Sequence, residues 1–379
     1  MTFLDHLPPE LINLLKELEL KGFAFCLVGG APRDFLLSKK ISKDLDFEVR
    51  GRPSSELISY LEYAGLKVQE LPYDIYRVKF KDFDLEFSSP RTEIQLPGNS
   101  SHHHFKAVLD KSLDYKDSFK RRDFTINSIG LEINFQERRE VIKDPFGGVK
   151  DLELKILREV SDYFYSDSVR FLRLIRFHLT LNFTINMSLY KKLSLFDLSL
   201  LPDYHFKEEL RKSHKLGEFL YTFKKMVIEN KINYNPNHQF FIDNDFNRNS
   251  LSLTDLLIDS FSKSKKHAEF VVTFFSLPEK ILKSLESFNQ SYLNVTSYNE
   301  EKVKALLTDC FENFNDIKLL KDLKNIEDKK EWLVYYHAHF LINIDFWKDI
   351  KIDQNELVKF PNELRSYYRF YKALNVKNS

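Results

Sequence analysis

LVGGAPRDFLLSKKISKDLDFEV, residues 27–49, decides the fold of this chain. A short apolar strand runs into Gly29-Gly30, a helical segment begins at Arg33 and Asp34, and a second strand follows. In that second strand Asp44, Asp46 and Glu48 alternate with Leu45, Phe47 and Val49. Side chains two apart in a strand share a face, so two carboxylates leave one rigid element together. The glycine pair just upstream lets a backbone come close to a ligand. Alone, a D-x-D pair reads as the solvated face of an edge strand, and a lone GG as a tight turn. Found in succession, they point to a hard cation beside a phosphate-bearing ligand.

Working outward, Pro8 to Lys21 reads as a helix, with Leu11, Leu14, Leu15 and Leu18 as its stripe and Gly22 as its stop. A strand is predicted from Phe23 to Val28, a helix from Arg33 to Ser38, and another helix from Ser54 to Ala64. Strands follow at Leu66 to Leu71, Tyr76 to Phe80 and Phe83 to Ser88. Glu86, in FDLEF, is the best third carboxylate for the pair, with Asp84 as runner-up. Pro90 to Lys120 is irregular and carries Pro97 to Ser101 and then His102, His103 and His104. Adjacent histidine side chains diverge, so a polar loop is favoured over a metal site there.

Arg121-Arg122-Asp123-Phe124-Thr125-Ile126-Asn127 leads into a strand-like run, and DPFGG at 144–148 reads as a hinge. Guanidinium forks match phosphates, and an aspartate can accept from a ribose hydroxyl; the plainer reading of the triplet is a solvated loop. Arg33 either meets triphosphate oxygens or pairs with Asp34. From about Val149 the pattern is helical throughout. There, Ser166 to Phe177 forms an amphipathic stretch whose Asp167 and Arg170 are helix neighbours at i,i+3. The pair is either an ordinary ion pair or a base reader, because an aspartate accepts from an exocyclic amine and an arginine donates to ring acceptors. Cytosine and adenine present that combination.

The 379 residues are too many for one ordinary core. A formal net charge of +1 leaves any basic footprint local. Cys26 and Cys310 are too few and too far apart for a disulfide framework or a zinc site. The start MTFLDHLPPE has no signal-peptide pattern, and no stretch is apolar enough for a bilayer span, so a cytoplasmic location is expected.

Four elements in order, GGAPRD with DLD, RRDFTIN, DPFGG and SDSVRFLRLIRF, make the chain resemble the class II tRNA nucleotidyltransferases (CCA-adding enzymes) and their bacterial poly(A) polymerase relatives. RRDFTIN followed by DPFGG is the specific part, and the matches span roughly the first half. The resemblance implies an α+β fold: a DNA-polymerase-β-like head with a small mixed sheet over 1–145, a helical neck over 146–205, and a helical body and tail over 206–379 that bind tRNA. It implies Mg²⁺ on Asp44 and Asp46 with Glu86 beside them, and CTP and ATP as substrates. It also implies nucleotide contacts from Gly29, Gly30, Arg33, Arg121, Arg122, Asp123, Asn127, Asp167, Arg170, Arg173 and Arg176. Two departures stand out: Pro32 where the family has Val, and Ser166 where it has Glu, which bears on how Arg170 is oriented. The long stretch from Phe87 to Lys120 argues against CC-only addition, and the C-terminal KALNVKNS is not the basic tail of a poly(A) polymerase. A-only addition stays open, as does a catalytically silent RNA-binding relative.

Overall fold

The computed structural model describes residues 2–95, 105–251 and 253–277. The chain divides into two compact units. One comprises 1–213 with 222–243, the other 214–221 with 244–379.

In the first unit, helix α1 (Pro9–Leu20) starts on a proline pair, whose missing N–H groups fall where a helix leaves donors unpaired anyway. Strand β1 (Ala24–Val28) enters helix α2 (Gly30–Ser38), and β2 (Asp44–Arg50) returns beside it. After α3 (Leu57–Tyr63) come β3 (Val68–Leu71), β4 (Ile75–Phe80) and β5 (Phe83–Ser88). Strands β6 (Arg91–Gln95) and β7 (Phe105–Leu109) follow, then α4 (Tyr115–Phe119), β8 (Gly130–Asn134) and β9 (Arg139–Lys143). Seven strands form one mixed sheet in the order β3-β4-β5-β2-β1-β8-β9. Only β2 and β5 pair in parallel.

Alternation sorts this sheet into two faces. Phe25, Leu27, Leu45, Phe47, Val49, Leu85, Phe87 and Ile133 pack against Leu11, Leu15 and Leu18 of α1 and Leu57 and Leu61 of α3. Burying that face is the main driving force for the head. The opposite face carries Cys26, Val28, Asp44, Asp46, Glu48 and Glu86, and Phe119 of α4 covers Cys26 and Val28.

Beyond the sheet come α5 (Gly148–Glu153), α6 (Ser168–Leu181), α7 (Met187–Lys191) and α8 (Asp203–Lys212), with α6 packed on α8. Helix α9 (Leu216–Glu229) contributes residues to both units. In the second unit α10 is not represented; it lies at Gln239–Asp243 in the first, while α11 (Leu253–Lys263) and α12 (Lys265–Phe274) belong to the second. No described helix is long and apolar enough to cross a membrane.

Several expectations need correcting. Pro90 to Lys120 is not irregular at its base: β6 and β7 pair antiparallel, with Arg91 opposite Leu109, and α4 follows. Residues 97–104, including the three histidines, lie outside the described residues. The run after Asp123 is a 3₁₀ turn, Thr125–Asn127, and the strand begins only at Gly130. The helical region also contains two short parallel ladders, Ile156–Leu157 with Thr184–Ile185 and Asp197–Leu198 with Asn233–Tyr234. Two-residue pairs are too short to leave an alternating pattern.

DPFGG is held by specific contacts. The Asp144 carboxylate accepts from Gly148 N at 2.6 Å and Val149 N at 2.9 Å, capping α5. Gly147 adopts a left-handed φ of 72°, and a Cβ on Gly148 would lie 2.1 Å from the Thr125 carbonyl oxygen. Gly148 serves a tight backbone approach, and Gly147 supplies the left-handed turn before it.

Candidate active site

Gly29 ends β1 with φ 78° and ψ −133°, a conformation open to glycine, and turns the chain into α2 three residues earlier than Arg33. Pro32 sits in the first turn of α2, where no N–H is required, so this departure is accommodated locally. A Cβ on Gly29 would stand 2.9 Å from Asp46 Oδ2. The glycine is therefore pressed against the D-x-D strand as well as shaping the turn.

Because β2 and β5 run in register, Asp44 lies opposite Asp84 and Asp46 opposite Glu86. The β5 acids are neutralised by β4: Arg77 reaches Glu86 at 3.0 Å and Lys79 reaches Asp84 at 2.8 Å. Among the described residues no basic side chain is ion-paired with Asp44 or Asp46. Solvent reaches Asp46, yet the surrounding protein strips part of its hydration. That burial, with the like charges of Glu86 and Asp44 and against the charge of Arg122, pushes its carboxyl up to about 6.

No three His, Cys, Asp or Glu side chains come together as a ready-made metal cage among the described residues. Mg²⁺ does not need one, since it binds through one or two carboxylates and completes its shell with phosphate oxygens and water. Asp44 and Asp46 fit that donor set. Glu86 is adjacent but already tied to Arg77.

Four of the predicted phosphate and base residues, Arg33, Asn127, Asp123 and Arg173, form one connected network. Arg33 pairs with Asp34 through two bonds of 2.8 and 2.9 Å, and its Nη1 donates to Asn127 Oδ1 at 2.6 Å. The Asn127 amide donates to Asp123 Oδ1 at 3.0 Å, and Arg173 Nε donates to Asp123 Oδ2 at 2.7 Å. Asp123 also accepts from Phe124 N at 2.8 Å. Burial alone would raise its pKa, but Arg173 and these hydrogen bonds outweigh burial and bring it down to about 2. The triplet is thus no solvated loop. Asp123 is a buried acceptor that fixes Arg173, rather than a carboxylate open to a ribose.

Asp167 is the N-cap of α6, not a residue within it, and accepts from Val169 N at 2.9 Å. Its other oxygen lies 3.6 Å from Arg170 Nε, so the i,i+3 pair forms. Arg170 donates to the carbonyls of Tyr163 and Arg121, each at 2.7 Å. Ser166 Oγ donates to that same Tyr163 carbonyl at 2.8 Å. Two backbone carbonyls therefore orient Arg170. Arg176 is in an ion pair with buried Glu209 at 2.5 Å.

Sequence reading missed Phe177 as a site element, though it lies inside SDSVRFLRLIRF. The guanidinium carbons of Arg33, Arg173 and Arg176 stand 5.0, 5.4 and 4.2 Å from its ring centre. The signal was its spacing, four residues after Arg173, which places the ring beneath that arginine on one helix face.

Residues 25–158 match the poly A polymerase head domain family. This stretch is such a head domain, of the DNA-polymerase-β-like class, and its sequence relatives are tRNA nucleotidyltransferases. An A-adding tRNA nucleotidyltransferase of Aquifex aeolicus is 35% identical over 170 residues, 44% of this chain and 20% of that protein. A CCA-adding enzyme of Francisella tularensis is 36% identical over 166 residues, 42% of each chain. The chain thus spans less than half the length of these curated relatives. A CCA-adding enzyme of Staphylococcus haemolyticus aligns over 344 residues at 26% identity, 88% of this chain and 76% of that one. Among solved structures, a tRNA-processing enzyme shares the fold with a TM-score of 0.58 at 22% identity, covering 96% of this chain and 98% of that one. A tRNA nucleotidyltransferase complexed with a primer tRNA and an ATP analogue shares it at 0.53 and 21%, covering 97% and 100%.

Proposed function

We propose that the protein is a template-independent tRNA nucleotidyltransferase that adds CMP and AMP from CTP and ATP to the tRNA 3′ end. The observation that carries this is Asp44 and Asp46 on one strand face, with no ion-paired basic side chain among the described residues and with Asp46 pressed against Gly29. Asp44 and Asp46 would hold Mg²⁺, which when bound neutralises charge on the transferring phosphoryl group. The 3′ hydroxyl attacks the α-phosphate and pyrophosphate leaves. Gly29 and Gly30 bring backbone close to the triphosphate, with Arg33 and Arg122 supplying positive charge beside it. Arg170, fixed by two carbonyls, and Asp167 read the base edge. Residues 146–205 serve as the neck that carries this reader, and 206–379 as the RNA-binding body and tail.

The test offers three tRNAs, ending before CCA, after C and after CC, with CTP, ATP or both. CCA synthesis extends all three to the complete end. Extension of only the last, with ATP, makes the protein an A-adding enzyme, like the Aquifex relative by its name. Absence of any metal-dependent incorporation rejects the proposal in favour of an RNA-binding relative.

A further inference from the structure

The base of the β6–β7 hairpin gathers more positive charge than its acids balance. Arg91 and Glu93 are two apart on β6 and share a face. Arg91 Nε and Nη2 both lie 3.3 Å from Glu93 Oε1, and Arg121 Nη1 lies 3.5 Å from that same oxygen. Arg91 Nη1 reaches the Tyr73 carbonyl at 3.4 Å. All four contacts are at the outer limit for hydrogen bonds. Arg122 is adjacent in the chain, with its guanidinium over the Phe119 ring at 5.1 Å and no ion pair among the described residues.

These groups are not surface charges with water as partner. Arg91 is 8% exposed, and the Nε atoms of Arg121 and Arg122 are buried without a hydrogen-bond partner. Glu48 acts on Arg121 at longer range; its Oε1 is bound by Arg50 at 2.6 Å, and its Oε2 is buried without a hydrogen-bond partner, so it offsets the arginine charge only from a distance. Two guanidiniums, those of Arg91 and Arg121, therefore share one carboxylate oxygen at long range, with the Arg122 charge beside them. Burial, with the neighbouring charges of Arg122 and Arg91, pushes Arg121 down to about 9. Buried cations lacking counter-charge are unfavourable unless an anion completes them.

We propose that Arg91 and Arg121, on either side of Glu93, form an anion site that takes a phosphate group. Guanidinium pairs suit phosphate oxygens because they present planar, bidentate donors. Glu93 holds the two arginines apart and keeps the site from collapsing. Arg122 extends the positive surface toward Asp46, whose acidity it influences. The phosphate belongs either to the nucleoside triphosphate or to the RNA backbone. That choice of source rests on the nucleotidyltransferase proposal; the anion site itself does not.

Pyrophosphate is the probe, added to the full chain in chelator while thermal unfolding is followed. In the wild type it raises Tm. In R91Q the half-maximal concentration rises about 10-fold, and in E93Q, which removes the competing acid, it falls several-fold. A simple structural ion pair predicts no opposite shifts. An R91Q midpoint equal to wild type overturns the site, and so does weaker binding in E93Q. E93Q alone decides the question if R91Q does not fold. In incorporation assays, R91Q raising only the KM for ATP and CTP assigns the triphosphate, and raising only the KM for tRNA assigns the RNA backbone. Both KM values unchanged overturn the assignment to a substrate phosphate. A wild type that binds pyrophosphate but incorporates nothing removes the proposed function and leaves the anion site standing.

Discussion

Asp46 and Glu86 face one another across the parallel β2–β5 ladder, and only Glu86 has a cation, Arg77 at 3.0 Å, to balance it. The imbalance leaves Asp46 with its carboxyl pushed up to about 6 by burial and by Glu86. A folded-state pKa above the ordinary carboxylate value favours the protonated form, so its contribution to stability is present below about pH 4 and lost as pH rises to about 6. Asp46→Asn removes that penalty. In chelator at pH 7.5 the variant melts above wild type, and the gap closes at pH 4. Scanning calorimetry at the two pH values checks this. A lower Tm for Asp46→Asn at pH 7.5 contradicts it.

Asp123 is the opposite case. Arg173 and two hydrogen bonds overcome the effect of burial and hold its carboxyl at about 2. Its contribution is present above about pH 4 and is lost as pH falls through 2. Asp123→Asn leaves Arg173 without its partner and destabilises the fold by about 3 kcal/mol at pH 7. Its stability is also flatter than wild type between pH 4 and 2. Urea titrations across that range measure both effects, and equal stability of the two proteins at pH 7 sinks the assignment.

Gly148 separates a hinge from a packed contact. With a Cβ 2.1 Å from the Thr125 carbonyl oxygen, Gly148→Ala must displace backbone. A loss of about 3 kcal/mol in unfolding free energy is expected. A flexible hinge would accept alanine with little change in stability, and that result would restore the hinge reading.

Much of this was legible in the sequence, for reasons that can be named. Alternation in DLDFEV placed Asp44 and Asp46 on one face, and FDLEF set Glu86 beside them, because strand periodicity survives in seven- and six-residue strands. The turn at Gly29 was visible as a glycine pair. What stayed hidden depends on contacts between distant residues. The bond from Arg170 to the Arg121 carbonyl joins positions 49 apart, and the chain from Arg33 through Asn127 and Asp123 to Arg173 joins three elements. The close approach at Gly148 was hidden because a glycine needed for packing looks, in sequence, like one needed for motion. The hairpin base was missed because Pro97 to Ser101 and the three histidines between β6 and β7 made the whole stretch read as one irregular loop.

Ser166 replaces the family's Glu, but Arg170 is fixed by the Tyr163 and Arg121 carbonyls. Ser166→Ala therefore keeps base discrimination within about 2-fold of wild type, since it removes only one hydroxyl bond to an exposed carbonyl. Arg170→Ala weakens discrimination against UTP and GTP by about 10–100-fold, through loss of base-edge hydrogen bonds. The kcat/KM for all four nucleotides on tRNA lacking the terminal A reports the difference. A uniform fall for every nucleotide in Arg170→Ala makes the Asp167–Arg170 pair purely structural.

The central claim is that Asp44 and Asp46 are the metal-holding carboxylates of a nucleotidyl transfer site. The most direct measurement is incorporation of labelled AMP into tRNA ending in CC, with Mg²⁺, by wild type, Asp44→Ala and Asp46→Ala, alongside tRNA binding by each. The account predicts a loss of at least about 10³-fold in both variants, because the charge they hold acts on the transferring phosphoryl group, while tRNA affinity stays near wild type. Incorporation within a few-fold of wild type in either variant would contradict it.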